Sequence, residues 1–219
     1  MMEKEFVILL HGMGRTRHSM RTLARHLKKA GYTTINDGYP STAKTVSVIA
    51  ETDLAPMVDK CKKTGAEKIH IVTHSLGGIV VRRYLQGHSL PEGSRIVMIS
   101  PPNHGSEIAD VLRHIPLYRW IYGPAGAELG TGPDSVPNRL APVDAEIGII
   151  TGDRSLNPLF SRMLAGKNDG KVSVASARLD EMIDFTVVHS THCFIMQNKT
   201  VLKKTAAFLK TGKFALKSP

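Results

Sequence analysis

The chain has 219 residues and is 42% hydrophobic, enough for one substantial core. Its formal net charge is +10, but the basic residues are spread diffusely and no aromatic-interleaved basic patch occurs, which argues against a nucleic-acid partner and leaves a weak electrostatic affinity for anionic membrane surfaces. No apolar run is long enough to span a bilayer and no secretory signal precedes the first strand, so cytoplasmic residence and two free thiols, Cys61 and Cys193, are expected.

Phe6–Leu10 is an unbroken apolar run, the pattern of a strand buried on both faces. It ends in the glycine-rich turn His11-Gly12-Met13-Gly14. Ser19 is placed to cap a helix with Met20, Leu23, Ala24 and Leu27 on one face, and Gly31 to end it. Tyr32–Ile35 reads as a second strand. A helix is predicted from about Ser47 to Lys63, kinked or split by Pro56.

The run Ile69-His70-Ile71-Val72-Thr73-His74-Ser75-Leu76-Gly77-Gly78 then passes from β-branched residues into a small-residue turn, and Ile79–Leu85 suits a buried helix. Strand, sharp turn and helix with a serine at the apex is the layout of a nucleophile elbow. The helix N-terminus beneath the serine favours negative charge developing beside it. Thr73 stands where the usual Gly-x-Ser-x-Gly elbow has glycine, and small neighbours on the adjoining strands are expected to absorb it. An ordinary strand-to-helix turn with an N-cap serine is the plainer reading of the same residues.

Arg95–Ser100 is another buried strand, ending in Pro101-Pro102-Asn103-His104-Gly105-Ser106. Residues 104–145 break the rhythm and read as an irregular cap above the sheet, with Leu112, Ile115, Leu117, Trp120, Ile121 and Tyr122 as candidate acyl-pocket residues. Ile147–Ile150 restores the strand pattern, a polar loop runs to Gly170, Asp184–Val188 is the last strand, and a helix spans about Gln197–Lys210. Strands alternating with helices imply an α/β fold: a mostly parallel central sheet with helices on both faces, in a single domain over 1–219. Ligands gather at the carboxyl ends of such strands, where His11, Tyr39, Ser75, Asn103 and His192 are expected to cluster.

A serine hydroxyl needs a base, and a histidine base needs a carboxylate to orient it. His74 adjoins the serine but should point away from it. His189 and His192 follow the last strand, and His192, in the loop before the final helix, is the stronger of the two. Cys193, beside it, has no elbow or helix N-terminus to activate it. Asp153 and Asp169 both follow the fifth predicted strand, and position alone does not separate them. The oxyanion donors would be the backbone amides of Met13 and Leu76.

Four segments in this order carry a resemblance: Val7–Gly14, Thr73–Gly78, Asn168-Asp169-Gly170-Lys171-Val172-Ser173 and His192-Cys193-Phe194. The chain resembles α/β-hydrolases of the compact bacterial lipase and esterase type. The resemblance implies that Asp169 is the acid, and it implies a Ser75-His192-Asp169 triad acting on a small-molecule or lipid ester through an acyl-enzyme, with no cofactor and no metal. A thioesterase or acyltransferase on the same fold, and a non-catalytic binding protein, are the alternatives.

Overall fold

The computed structural model describes residues 4–112 and 115–215, without the side chains of residues 116–119 and 121. Six strands, β1 (Glu5–Leu10), β2 (Thr33–Ile35), β3 (Lys68–His74), β4 (Arg95–Ile99), β5 (Glu146–Gly152) and β6 (Asp184–Val188), form one sheet in the order β2-β1-β3-β4-β5-β6, and each neighbouring pair is parallel. The apolar strands are unbroken in sequence because both faces are buried. Successive side chains alternate, so Phe6, Ile8 and Leu10 enter one core while Val7 and Leu9 enter the other. In β4, Ile96 and Met98 go to the first core, and Val97 and Ile99 to the second.

Along the chain the helices are α1 (Arg21–Lys29), α2 (Val46–Ile49), α3 (Ala55–Lys63), α4 (Leu76–Tyr84), α5 (Glu107–Leu112), α6 (Pro116–Ala127), α7 (Val136–Arg139), α8 (Pro158–Met163) and α9 (Lys199–Thr211). Helices α2, α3 and α4 bury their apolar faces in the first core, and α1 and α9 in the second. Burial of each large aliphatic side chain in these cores is worth about 1.5–3 kcal/mol.

Local sequence chemistry explains where several elements start and stop. Ser19 does not cap α1; it sits in a short 3-10 turn, Arg17–Met20, and its hydroxyl donates back to the Thr16 carbonyl at 2.8 Å. Pro56 does split its helix. It occupies the first turn of α3, where its missing N–H costs nothing, and a π-turn over Ala50–Leu54 joins α2 to α3. The final helix begins two residues later than its apolar pattern suggests, because the Asn198 side chain caps it by accepting from Thr200 and Val201 N–H.

Two stretches are more regular than expected. Residues 104–145 carry α5, α6 and α7, and α6 changes direction at Gly123, whose φ is 62°. The polar loop after β5 contains α8. Its signal was present in the sequence: Asn157 caps it and Pro158 opens it.

The strand order reverses beside β1. The chain leaves β1 for the edge strand β2, then returns to β3 on the other side of β1. The crevice at that switch lies between the carboxyl ends of β1 and β3, where parallel sheets bind ligands. Gly12 and Met13 follow the first of these ends, and Ser75 follows the second.

Candidate active site

Ser75 links β3 to α4 with φ 52° and ψ −120°, a conformation that L-residues avoid at a cost of about 1–3 kcal/mol. The strain is held by its surroundings. Its N–H donates to the Ile99 carbonyl of the neighbouring strand at 2.9 Å, and its own carbonyl accepts from Gly78 N–H at 2.9 Å.

Thr73 fits the elbow for a reason the sequence pattern does not give. Its partners across the sheet, Leu10 and Met98, are not small. The room comes from the helix that follows: a Cβ on Gly77 would lie 3.2 Å from the Thr73 Cβ, and one on Gly78 would lie 3.5 Å from its Oγ1. The bulk that glycine normally spares at the first elbow position is spared here at the second turn residues instead.

His192 and Asp169 meet beneath the same edge. The Nδ1 of His192 is 2.8 Å from Oδ2 of Asp169, and both side chains are almost fully buried. A carboxylate can only accept, so Nδ1 carries the proton and Nε2 is left unprotonated. Oδ1 of Asp169 accepts from the N–H groups of Lys171 and Val172 at 3.0 and 2.9 Å, and the Asp169 carbonyl accepts from His192 N–H at 3.0 Å. Burial pushes the Asp169 carboxyl upward, but the His192 charge, its hydrogen bond and the Val172 N–H outweigh that and hold it below the ordinary carboxylate value.

The residues left open by position pair with each other instead. His189 Nδ1 lies 3.0 Å from Asp153 Oδ1, and the His189 side chain is 75% exposed. Neither lines the cavity at Ser75.

That cavity, about 140 Å³, is lined by Ser75, His192, His74 and Met13 among others. Its walls are apolar: Ile108, Ala109 and Leu112 from α5, Tyr122 from α6, Leu129, Val172 and Phe160 from α8. Among the described residues the Met13 and Leu76 N–H groups have no hydrogen-bond partner, and no hydrogen bond joins the Ser75 hydroxyl to His192. Catalytic hydrogen bonds of unliganded sites are often open in this way. A hydroxyl and an oriented imidazole on one cavity, with the Met13 amide on its lining and the Leu76 amide next to Ser75 in the chain, are the parts needed to attack a carbonyl and hold the resulting oxyanion.

Four residues expected at the pocket do not reach it. His11 is buried and fully engaged: Nδ1–H donates to the Gly12 carbonyl at 2.9 Å, Nε2 accepts from Tyr39 N–H at 3.4 Å, and its ring stacks on Tyr39 at 4.3 Å. Tyr39 donates its hydroxyl to the His11 carbonyl. The pair braces the β1 turn and borders a separate shallow groove. Asn103 is buried; its carbonyl oxygen accepts from Arg82 at 3.0 Å and its side-chain amide donates to Ala177 at 2.9 Å. Trp120 is 83% exposed and does not line the cavity, and the exposed Ile115 does not either. Leu117 and Ile121 lie outside the described side chains.

The sequence reading missed Arg15 and Lys171, which line the cavity, and Phe160. Arg15 directly follows the Val7–Gly14 segment, and Lys171 lies inside the Asn168–Ser173 segment, where only the aspartate had been given a role. His74 was expected to be structural and is buried, but it also lines the cavity.

A family profile described as alpha/beta hydrolase fold matches residues 5–121. A sequence search of the curated proteins finds no match. Among solved structures, the mature form of lipase BlEst2 from Bacillus licheniformis superposes with a TM-score of 0.76 at 21% identity, covering 97% of this chain and 94% of that one. Phospholipase PlaB from Legionella pneumophila gives 0.69 at 18% identity, covering 97% of this chain but 58% of its own. Esterase Pf2001 from Pyrococcus furiosus gives 0.63 at 20% identity, with coverage of 95% and 83%. At these identities the likeness is one of fold.

Proposed function

Since the chain belongs to the alpha/beta hydrolase fold family, we propose that it is a serine hydrolase that cleaves carboxylic esters through an acyl-enzyme. The observation that carries this reading is the convergence of a strained elbow serine and a buried His192–Asp169 pair on one apolar cavity.

Ser75 Oγ attacks the ester carbonyl while His192 Nε2 takes its proton. Asp169 keeps the imidazole in the Nδ1–H tautomer and stabilises the cation that forms. The Met13 and Leu76 amides hold the tetrahedral oxyanion. His192 then gives the proton to the departing alkoxide, and water releases the acid by the reverse sequence.

The walls from α5 and α6 support a cap role for residues 104–145, and α8 adds Phe160 from outside that segment. Val111, Ile115, Trp120 and Leu159 expose apolar surface on these helices and the turn between them. With the net charge of +10, these exposed apolar side chains suit loose contact with an anionic lipid surface. The lipase and phospholipase neighbours agree with an acyl ester as substrate.

A cavity of about 140 Å³ holds on the order of six carbon atoms. Turnover of p-nitrophenyl esters of rising chain length is therefore expected to peak at butyrate to octanoate and fall at palmitate. Absence of hydrolysis across the whole series would overturn the reading.

A further inference from the structure

The cavity at Ser75 has a charge pattern that hydrolysis of a neutral ester does not need. Two cations, Arg15 and Lys171, line it, and no Asp or Glu does. They come from different sides of the site: Arg15 from the turn after β1, where its N–H closes back on the Gly12 carbonyl at 3.2 Å, and Lys171 from the turn that carries Asp169. Among the described residues neither side chain has a carboxylate partner. The one carboxylate close to Lys171 in sequence, Asp169, is taken by His192 and by backbone N–H groups.

Lys171 is also fixed in place. Its carbonyl accepts from the Ser106 hydroxyl at 2.8 Å, and its ammonium lies 6.0 Å above the Tyr122 ring. Arg15 is exposed and Lys171 half-buried, yet both charges act on the buried His74 beside Ser75: after its own burial and the His192 charge, each helps keep it neutral. Two cations without a carboxylate partner among the described residues, bordering a cavity with apolar walls, lower the energy of an anion placed between them, because the low-dielectric walls focus their field.

Resting on the hydrolase reading above, we propose that the preferred substrate is an acyl ester whose alcohol carries a phosphate, the acyl chain lying against α5 and the phosphate between Arg15 and Lys171. The bond broken is the acyl C–O bond. Ser75 Oγ becomes bonded to the carbonyl carbon, its proton passes through His192 to the leaving oxygen, and the phosphate-bearing alcohol departs with its P–O bonds intact. Water then releases the carboxylic acid.

Two sources place a phosphate on the departing group. In a glycerophospholipid the phosphate sits a few bonds from the ester oxygen. In an acyl-coenzyme A thioester the bond broken would be C–S, the thiol would take the proton, and the long pantetheine arm separates that sulfur from the phosphates. Since both cations line the same small cavity as Ser75, the short spacing of the glycerophospholipid fits.

The test compares kcat/KM for dihexanoyl phosphatidate, dihexanoylglycerol, hexanoyl-coenzyme A and p-nitrophenyl hexanoate, with wild type, Arg15→Gln and Arg15→Gln/Lys171→Gln. The short lipids dissolve as monomers, so no membrane surface intervenes. The proposal expects phosphatidate to exceed dihexanoylglycerol, and this ratio to fall about tenfold for each cation removed and with added salt. Equal rates for the two lipids, or a ratio that neither variant changes, would overturn the phosphate site while p-nitrophenyl hexanoate turnover still supported the hydrolase. A preference for hexanoyl-coenzyme A that depends on the cations would overturn the glycerophospholipid assignment. Failure to hydrolyse any of the four would overturn both readings.

Discussion

His74 donates from Nε2 to the backbone carbonyl of His192 at 3.1 Å, and the two rings lie 4.7 Å apart. A carbonyl only accepts, so His74 carries its proton on Nε2. Complete burial, then the charge of His192, push its pKa well below the ordinary histidine value. His74 is thus a strut, held neutral by burial, between the elbow and the loop that carries His192.

That role gives a first prediction. His74→Ala should lower kcat on the order of a hundredfold through misplacement of His192, with KM for a p-nitrophenyl ester little changed. His74→Gln, which can restore a donor to the same carbonyl, should recover part of the loss. A purely structural His74 would lower the amount of folded protein while the folded fraction kept its full kcat.

Stability should fall in acid for a stated reason. Burial is the main cause holding His11, His70 and His74 below the ordinary 6.5. A depressed histidine stabilises the fold above its unfolded pKa. Below about 6.5 the unfolded chain takes up protons that the folded chain refuses, so stability declines as pH falls toward the folded values. Asp169, also depressed, adds a further loss below its ordinary 3.8. The Tm is therefore expected to be roughly flat above about pH 7 and to drop steadily between pH 6.5 and 5, with a shallower slope in His74→Gln. A Tm that does not change over that interval would contradict the account.

The elbow can be probed through Thr73. Its Oγ1 is buried with no hydrogen-bond partner among the described residues. Thr73→Val keeps the shape and removes that group, so it should stabilise the protein by about 1 kcal/mol in urea unfolding. Gly78→Ala should do the reverse by about 1–3 kcal/mol, since its Cβ would come within 2.8 Å of the Pro101 Cβ. Destabilisation by Thr73→Val would mean that the hydroxyl has a partner.

Much of this was legible in the sequence. The β-branched runs fix the strands because burial on both faces leaves no polar alternation to confuse them, and Ser75 was visible because an elbow needs small residues at set spacings. What position could not separate was Asp153 from Asp169. Both leave the same strand, and only packing decides: Asp169 is folded back under His192 by its own turn, while Asp153 meets His189 in solvent. The pocket walls were harder still. Asn103, Tyr39 and His11 sit at the correct sheet edge, yet their polar groups are consumed by neighbouring backbone and side-chain groups, which no spacing rule reveals.

This pairing sets up a direct comparison. Asp169→Asn should reduce kcat by about ten-thousand-fold, the cost of losing the histidine's tautomer control, whereas Asp153→Asn should leave turnover near wild type. A larger loss in Asp153→Asn would reverse the assignment.

The central claim is that Ser75 is a nucleophile activated by His192. Reaction with a fluorophosphonate probe, followed by mass spectrometry of the labelled peptide, tests it most directly. The account predicts one adduct, on Ser75, absent in Ser75→Ala and slowed by several orders of magnitude in His192→Ala. Labelling that persists in Ser75→Ala, or an adduct on another residue of the wild type, would contradict it.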